Sequence, residues 1–149
     1  MKIGIIIIFH NNEMDIDTNS FSNLFTNKNN TNLCLVNNGS SDTTLEKLHN
    51  IKDKCETNVN VLDVKRNKSK DSAIKAGARF LFNQNDLKLI GYLSWNSSVN
   101  LKKLKEFIRV VEENKESIIK YNAKTVKTNQ FQRALFKNIF SIVDFFFEN

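Results

Sequence analysis

Four short stretches, three of them almost uninterrupted apolar runs and all closing on polar residues, limit what this chain can fold into more than any other feature. They are Lys2–Phe9, Asn32–Val36, Asn58–Val64 and Lys88–Leu93. Ile5-Ile6-Ile7-Ile8, Leu33-Cys34-Leu35-Val36 and Leu89-Ile90-Gly91-Tyr92-Leu93 leave no polar face. Strands of that kind are covered on both sides, as in a parallel sheet packed between helices. Helical patterns fill the gaps between the runs. Thr43 to Lys54 places Leu45, Leu48 and Ile51 on one face, and Lys70 to Phe82 groups Ala73, Ile74, Ala76, Gly77, Phe80 and Leu81. Asp42 or Ser41 stands where it can cap the first helix, and Ser69 the second. The order β-α-β-α-β-α-β predicts an α/β fold: an open, mostly parallel sheet with right-handed crossovers and helices on both faces, a three-layer sandwich.

Beyond Asn96 the text reads as mostly helical. Leu101, Leu104, Phe107, Ile108 and Val111 form an amphipathic stripe, Ser117–Tyr121 is expected as a short fifth strand, and Asn129–Phe147 as a last helix. That helix has an apolar stripe that could cover the sheet, join a second copy or a partner subunit, or lie peripherally on a membrane. The chain has 149 residues, 40% hydrophobic and 26% charged, which suits one folded domain. Its net charge of +6 fits a phosphate-bearing ligand or an anionic surface. The lysines are dispersed, with no arginine-rich block and no aromatic–basic alternation, so nucleic acid is not an expected partner. Cys34 and Cys55 have no metal-ligand or redox spacing, and a reducing, cytoplasmic setting is expected. The opening Met1–Phe9 has the apolar run of a signal peptide but continues directly into His10-Asn11-Asn12-Glu13, without a small-residue cleavage site, so it reads as a first strand.

In an open parallel sheet, ligands bind beyond the carboxyl ends of the strands. Those ends are His10–Glu13, Asn37–Asp42, Lys65–Asp71 and Ser94–Ser98, and all four are polar. The chain contains no GxGxxG and no Walker loop, which removes the common dinucleotide and nucleoside-triphosphate fingerprints. Val36-Asn37-Asn38-Gly39-Ser40-Ser41-Asp42-Thr43-Thr44, taken alone, describes only a strand, a sharp turn at Gly39 and a well-capped helix.

Taken in order, the four ends carry more. Ile5–Glu13 resembles the opening strand of family 2 glycosyltransferases, an apolar run followed by P-x-Y-N-x-E. Val36–Thr44 resembles their V-D-D-G-S-x-D-x-T, and Asn67–Gly77 their N-x-G-x-x-x-A-x-N-x-G. Leu89–Leu93 sits where the strand leading to their D-x-D motif would lie. The resemblance covers about the first two-thirds of the chain. It implies a GT-A, nucleotide-diphospho-sugar transferase-like (Rossmann-like) fold whose loops bind a UDP- or GDP-sugar. His10 then stands where a tyrosine packs near the base, Asn38 where an aspartate bonds it, and Asn67 and Lys70 near the ribose and diphosphate.

The chain departs from that pattern where the family's carboxylates hold Mg²⁺ or Mn²⁺. The D-x-D position reads Ser94-Trp95-Asn96, which offers only neutral oxygens to a hard cation, so no metal is expected. Arg66, Lys68 and Lys70 could neutralise a diphosphate in its place. No catalytic base is nominated: Glu112, Glu113 and Glu116 read as a solvated helix face, and Asp144 lies in the phenylalanine-rich end. The expectation is a single GT-A-like domain over 1–149, nucleotide-sugar-binding in 1–97 and helical in 98–149, weak or inactive as a metal-dependent transferase. The alternatives are a metal-independent glycosyltransferase completed by a partner subunit, and a non-catalytic interaction module on the same fold.

Overall fold

A computed structural model describes residues 2–26, 30–55, 58–84, 87, 89–125 and 139–148. Ile3–Phe9 (β1) takes the middle of the sheet, with all seven of its residues buried. Thr31–Asn38 (β2) pairs with one edge of β1 and Leu89–Ser94 (β4) with the other, so that Ile3 lies between Thr31 and Leu89. Val59–Val64 (β3) extends the sheet beyond β2, and Ile139–Ser141 (β5) extends it beyond β4. The order is β3-β2-β1-β4-β5, parallel throughout.

Alternation along the strands divides the core in two. Ile5, Ile7, Phe9, Leu33 and Leu35 face the helices Thr18–Phe25 (α1), Thr44–Lys54 (α2), Leu101–Glu113 (α4) and Ile142–Glu148 (α6). Ile6, Ile8, Cys34 and Val36 face Lys70–Gln84 (α3), which contributes Ala73, Ile74, Ala78 and Leu81. Gly77 lets α3 approach β1 closely: a Cβ there would stand 3.0 Å from Cγ2 of Ile6. The predicted three-layer α/β architecture is the one observed.

The first helix was implied by the strand order without being located. It is rich in Asn, Ser and Thr, which compete for backbone hydrogen bonds and form helices weakly. Two things offset that. Asp17 caps it by accepting from the N–H groups of Asn19 and Ser20, and Phe21 and Phe25 are fully buried, each worth roughly 1.5–3 kcal/mol relative to exposure.

Two expectations beyond Asn96 are corrected. Ser117–Tyr121 belongs to a helix, Lys115–Thr125 (α5), and is not a strand. Ile118 is buried while Ile119 is 41% exposed, as one-sided helical packing requires, and the Ile118 N–H bonds the Asn114 carbonyl one turn back. The expected helix Asn129–Phe147 contains β5, with α6 beginning only at Ile142. Ile139 and Phe140 go to opposite faces of the sheet, and an apolar run this short carries no decisive period of its own. Residues 129–138 of that expected helix lie outside the described residues. Among the described residues, no helix is long and apolar enough to cross a membrane.

Candidate functional site

The direction of strand addition reverses beside β1: β2 and β3 build out one way and β4 the other. The carboxyl ends of β1 and β4 therefore flank the crevice where such sheets take ligands. Three polar loops cover the ends of β1, β2 and β3, and each is bonded to the next.

The loop after β1 is tied to the start of α2. Asn11 adopts φ 50°, a left-handed conformation that Asn tolerates better than most residues. Its N–H donates to Ser40 Oγ (3.0 Å), and its Oδ1 accepts from the Ser41 N–H (2.8 Å). Asn12 N–H donates to Thr44 Oγ1 (2.8 Å). The Glu13 carboxylate accepts from the N–H and hydroxyl of Thr43. Asp42 accepts from the Thr44 N–H (2.9 Å) and the Glu13 N–H (3.3 Å), and Lys47 Nζ reaches back to the Glu13 carbonyl. The bonds from Thr43, side chain first, hold the Glu13 carboxyl below its ordinary range. For Asp42 burial acts upward and is the largest influence, but the Thr44 hydroxyl and the N–H groups of Thr44 and Glu13 together bring it below the usual value.

The loop after β2 is tied to the loop after β3 through Asn38. Its Oδ1 accepts from the Lys68 N–H (3.0 Å) and its Nδ2 donates to the Lys68 carbonyl (2.9 Å). Next to it, Gly39 has φ +62° and donates its N–H to the Val64 carbonyl at 2.7 Å. A Cβ on Gly39 would lie 2.1 Å from the backbone nitrogen of Asn67, so the two loops are in backbone contact. His10 Nδ1 lies 2.7 Å from the Asn38 carbonyl. A carbonyl only accepts, which places the proton on Nδ1, and Nε2 then accepts from Asn11 Nδ2 at 3.3 Å.

Of the four residues predicted to meet a nucleotide, His10, Asn38 and Asn67 are thus brought together around Gly39. Lys70 stands apart on the first turn of α3, its ammonium 5.8 Å from the centre of the Tyr92 ring. Burial pushes the Tyr92 hydroxyl up, with Asp144 and Asp71 adding to the effect and a bond with Ser141 opposing it. Arg66 and Lys68 line a groove of about 430 Å³ along the outer edge of β3, with Asp63, Val64 and Ala76. A larger groove, about 540 Å³, lies between α1 and α4 and touches none of these residues.

At the end of β4, Ser94, Trp95 and Asn96 have different environments. Trp95 is a core residue, 7% exposed, stacked on Phe9 (5.8 Å, 25°) and packed on Phe21 (5.0 Å). Its N–H continues the ladder to the Ile8 carbonyl at 2.8 Å. Ser94 is half-buried, and the exposed Asn96 uses Oδ1 to accept from the N–H and hydroxyl of Ser98. Ser94 and Asn96 offer only neutral oxygens, and that of Asn96 is already engaged in a turn. Among the described residues, no three His, Cys, Asp or Glu side chains gather closely enough to hold a metal ion.

The sequence names candidate nucleotide contacts, and Asp42 only as a helix cap; the bonds between the loops are made by Asn11, Glu13, Asp42, Thr43 and Thr44, which it did not single out for that role. All except Thr43 fall on fixed letters of the motif text, the N and E of the first and the D and T of the second. That coincidence was the available signal.

Solved structures of S. aureus TarS share this architecture. TarS itself aligns at 19% identity and TM-score 0.52 over 76% of this chain and 20% of its own. TarS 1–349 aligns at 19% and 0.53 over 76% and 33%, and TarS 1–349 in complex with UDP-GlcNAc at 20% and 0.52 over 76% and 32%. This chain spans a third or less of the length of those structures, and at such identities the likeness establishes the fold. None of the curated proteins matches it. The pattern described as Glycosyl transferase family 2 matches residues 4–149. A match of that extent includes the bonded loops and everything after β4 as well, and on it the chain belongs to glycosyl transferase family 2.

Proposed function

We propose that this domain binds a nucleotide sugar at the carboxyl edge of β1, β2 and β3 and does so without a tightly held divalent cation. The observation that carries the reading is the bonding of the three loops into one platform through Asn11, Glu13, Asn38 and Gly39. In this reading the platform gathers His10, Asn38 and Asn67 around Gly39 on the β2 side of the crevice, with Asn38 covered by the loop after β3. A uridine donor is the first choice, because TarS 1–349, which shares the fold, is known in complex with UDP-GlcNAc. In this reading Lys70, on the first turn of α3, is the cation assigned to the diphosphate, with the helix N-terminus behind it adding positive potential.

The Ser94-Trp95-Asn96 position supports weak or absent metal-dependent transfer. A metal normally neutralises the leaving diphosphate in this chemistry, and neutral ligands hold it poorly. In this reading the lysines near the platform carry out the neutralisation, and activity with an acceptor depends on groups supplied from elsewhere, such as a partner subunit.

Calorimetric titration with UDP-GlcNAc and with GDP-sugars, each with and without Mn²⁺, tests the proposal. Expected is saturable binding of a uridine donor whose Kd moves by less than about threefold when Mn²⁺ is added, within roughly 0.7 kcal/mol. Binding strengthened tenfold or more by Mn²⁺ would contradict the reading of Ser94-Trp95-Asn96. Absence of binding to every nucleotide would replace it with that of an interaction module.

A further inference from the structure

Asn38 is 5% exposed, and both polar atoms of its side chain are engaged by one residue, Lys68. The N–H and C=O of Lys68 form an adjacent donor and acceptor. The imide edge of uracil and the N1–H/C6=O edge of guanine present the same pair to an amide. Lys68 also sits in the segment whose backbone rests on Gly39, so Asn38 cannot be reached from outside while Lys65–Ser69 stays where it is.

We infer that the Lys68 backbone is a built-in competitor for the nucleobase at Asn38, so that nucleotide binding and displacement of the Lys65–Ser69 loop are one event. The inference rests on the proposed nucleotide site and adds its regulation: the closed loop lowers apparent affinity, and whatever weakens the Asn38–Lys68 pair raises it. Only this loop has to move. The neighbouring ties, Asn11 to Ser41 and Glu13 to Thr43, do not involve Lys68 and hold the rest of the platform in place. Nor does displacement strand polar groups, because Lys68 is an exposed residue and water can take over both of its backbone bonds.

Residue-resolved amide exchange on the whole chain, with and without saturating UDP, reads the coupling directly. Expected is a Lys68 N–H that is protected in the free protein and exchanges at least about tenfold faster with UDP bound, while the amides of Ile5–Ile7 are unchanged. Ligands ordinarily protect the loops they touch, so this direction is specific to competition. UDP binding with the Lys68 N–H equally or better protected overturns the inference and leaves the nucleotide site standing. A pair of variants gives an independent readout. Lys68→Ala removes the side chain and keeps the backbone donor, whereas Lys68→Pro removes both. Provided both melt as folded proteins, UDP is expected to bind Lys68→Pro at least about fivefold more tightly than Lys68→Ala. Equal affinities overturn the inference. Failure of UDP and GDP to bind wild type and both variants overturns the nucleotide site itself, and the coupling with it.

Discussion

Gly39 shows how much can depend on one absent side chain. Its φ of +62° disfavours any L side chain, and the space a Cβ would fill belongs to the backbone of Arg66 and Asn67. Gly39→Ala therefore combines a backbone cost of roughly 1–3 kcal/mol with a forced separation of the loops after β2 and β3. The expected result is a loss of at least about 2 kcal/mol, read as a fall in melting temperature of roughly 4–8 °C for a domain of this size. An unchanged melt would mean that the loop does not rest on Gly39. The two asparagines before it answer to the same neighbourhood. Asn37 donates to Asp63 directly across the β2–β3 register at 3.0 Å. The aspartate found there in the resembled motif would set two carboxylates opposite each other, which is destabilising on a sheet face. Asn38, by donating as well as accepting, holds Lys68 in a way that a carboxylate cannot.

Among the elements, α3 is seated closely on the sheet at Gly77. Apart from Gly77 it meets the sheet through Ala73, Ile74, Ala78 and Leu81, and Gly77 sets the depth of its approach to Ile6. Gly77→Val places a branched side chain where even one carbon is tight, at a cost of roughly 1–3 kcal/mol. Urea unfolding should show a lower midpoint with an unchanged slope; a lower slope would mean that the sheet, and not the helix seat alone, had loosened.

These elements were legible to different degrees. Strands β1, β2 and β4 were plain because a run buried on both faces has to be apolar throughout, and Ile5–Ile8 leaves no other reading. The segments α5 and β5 were misread because Ser117–Tyr121 and Ile139–Phe140 are too short to show a period. At the site, the turn at Gly39 could be read locally; Asp42, expected as a cap, lies one residue before the N-cap Thr43 and bonds the N–H groups of Thr44 and Glu13. The Asn38–Lys68 pair could not be read locally: the two residues are joined only by the parallel register of β2 on β3, which brings Asn38 opposite Val64 and delivers the next loop beside it. Trp95 stands at the position that the resemblance gives to the metal motif; that its ring joins the aromatic cluster with Phe9 and Phe21 is visible only in the fold.

For the molecule as a whole, Cys34 is an internal probe. It lies fully buried in β2, and burial pushes its thiol up to about 12. Only the thiolate reacts, so modification requires opening of the sheet. Cys55, at the end of α2, is also buried, but at a helix terminus where local fraying is sufficient. In native buffer a thiol reagent is expected to label Cys55 well before Cys34, and Cys34 at a rate that follows global unfolding as urea is added. Comparable labelling of both cysteines without denaturant would show that β2 is reached by partial opening.

The central position of β1 also fixes an order of events in time. Its partner on one side, β2, is synthesised soon after it, whereas its partner on the other side does not exist until Leu89 has been made. At about 5–20 residues per second, the interval between Ile3 and Leu89 is roughly 4–17 s. For that period one edge of the most isoleucine-rich segment of the chain has nothing to pair with, and it can recruit any other extended chain it meets. A nascent chain of this protein is therefore most in need of chaperone cover between the emergence of β2 and that of β4, and a ribosomal pause placed there would lower the yield of folded protein more than the same pause placed later.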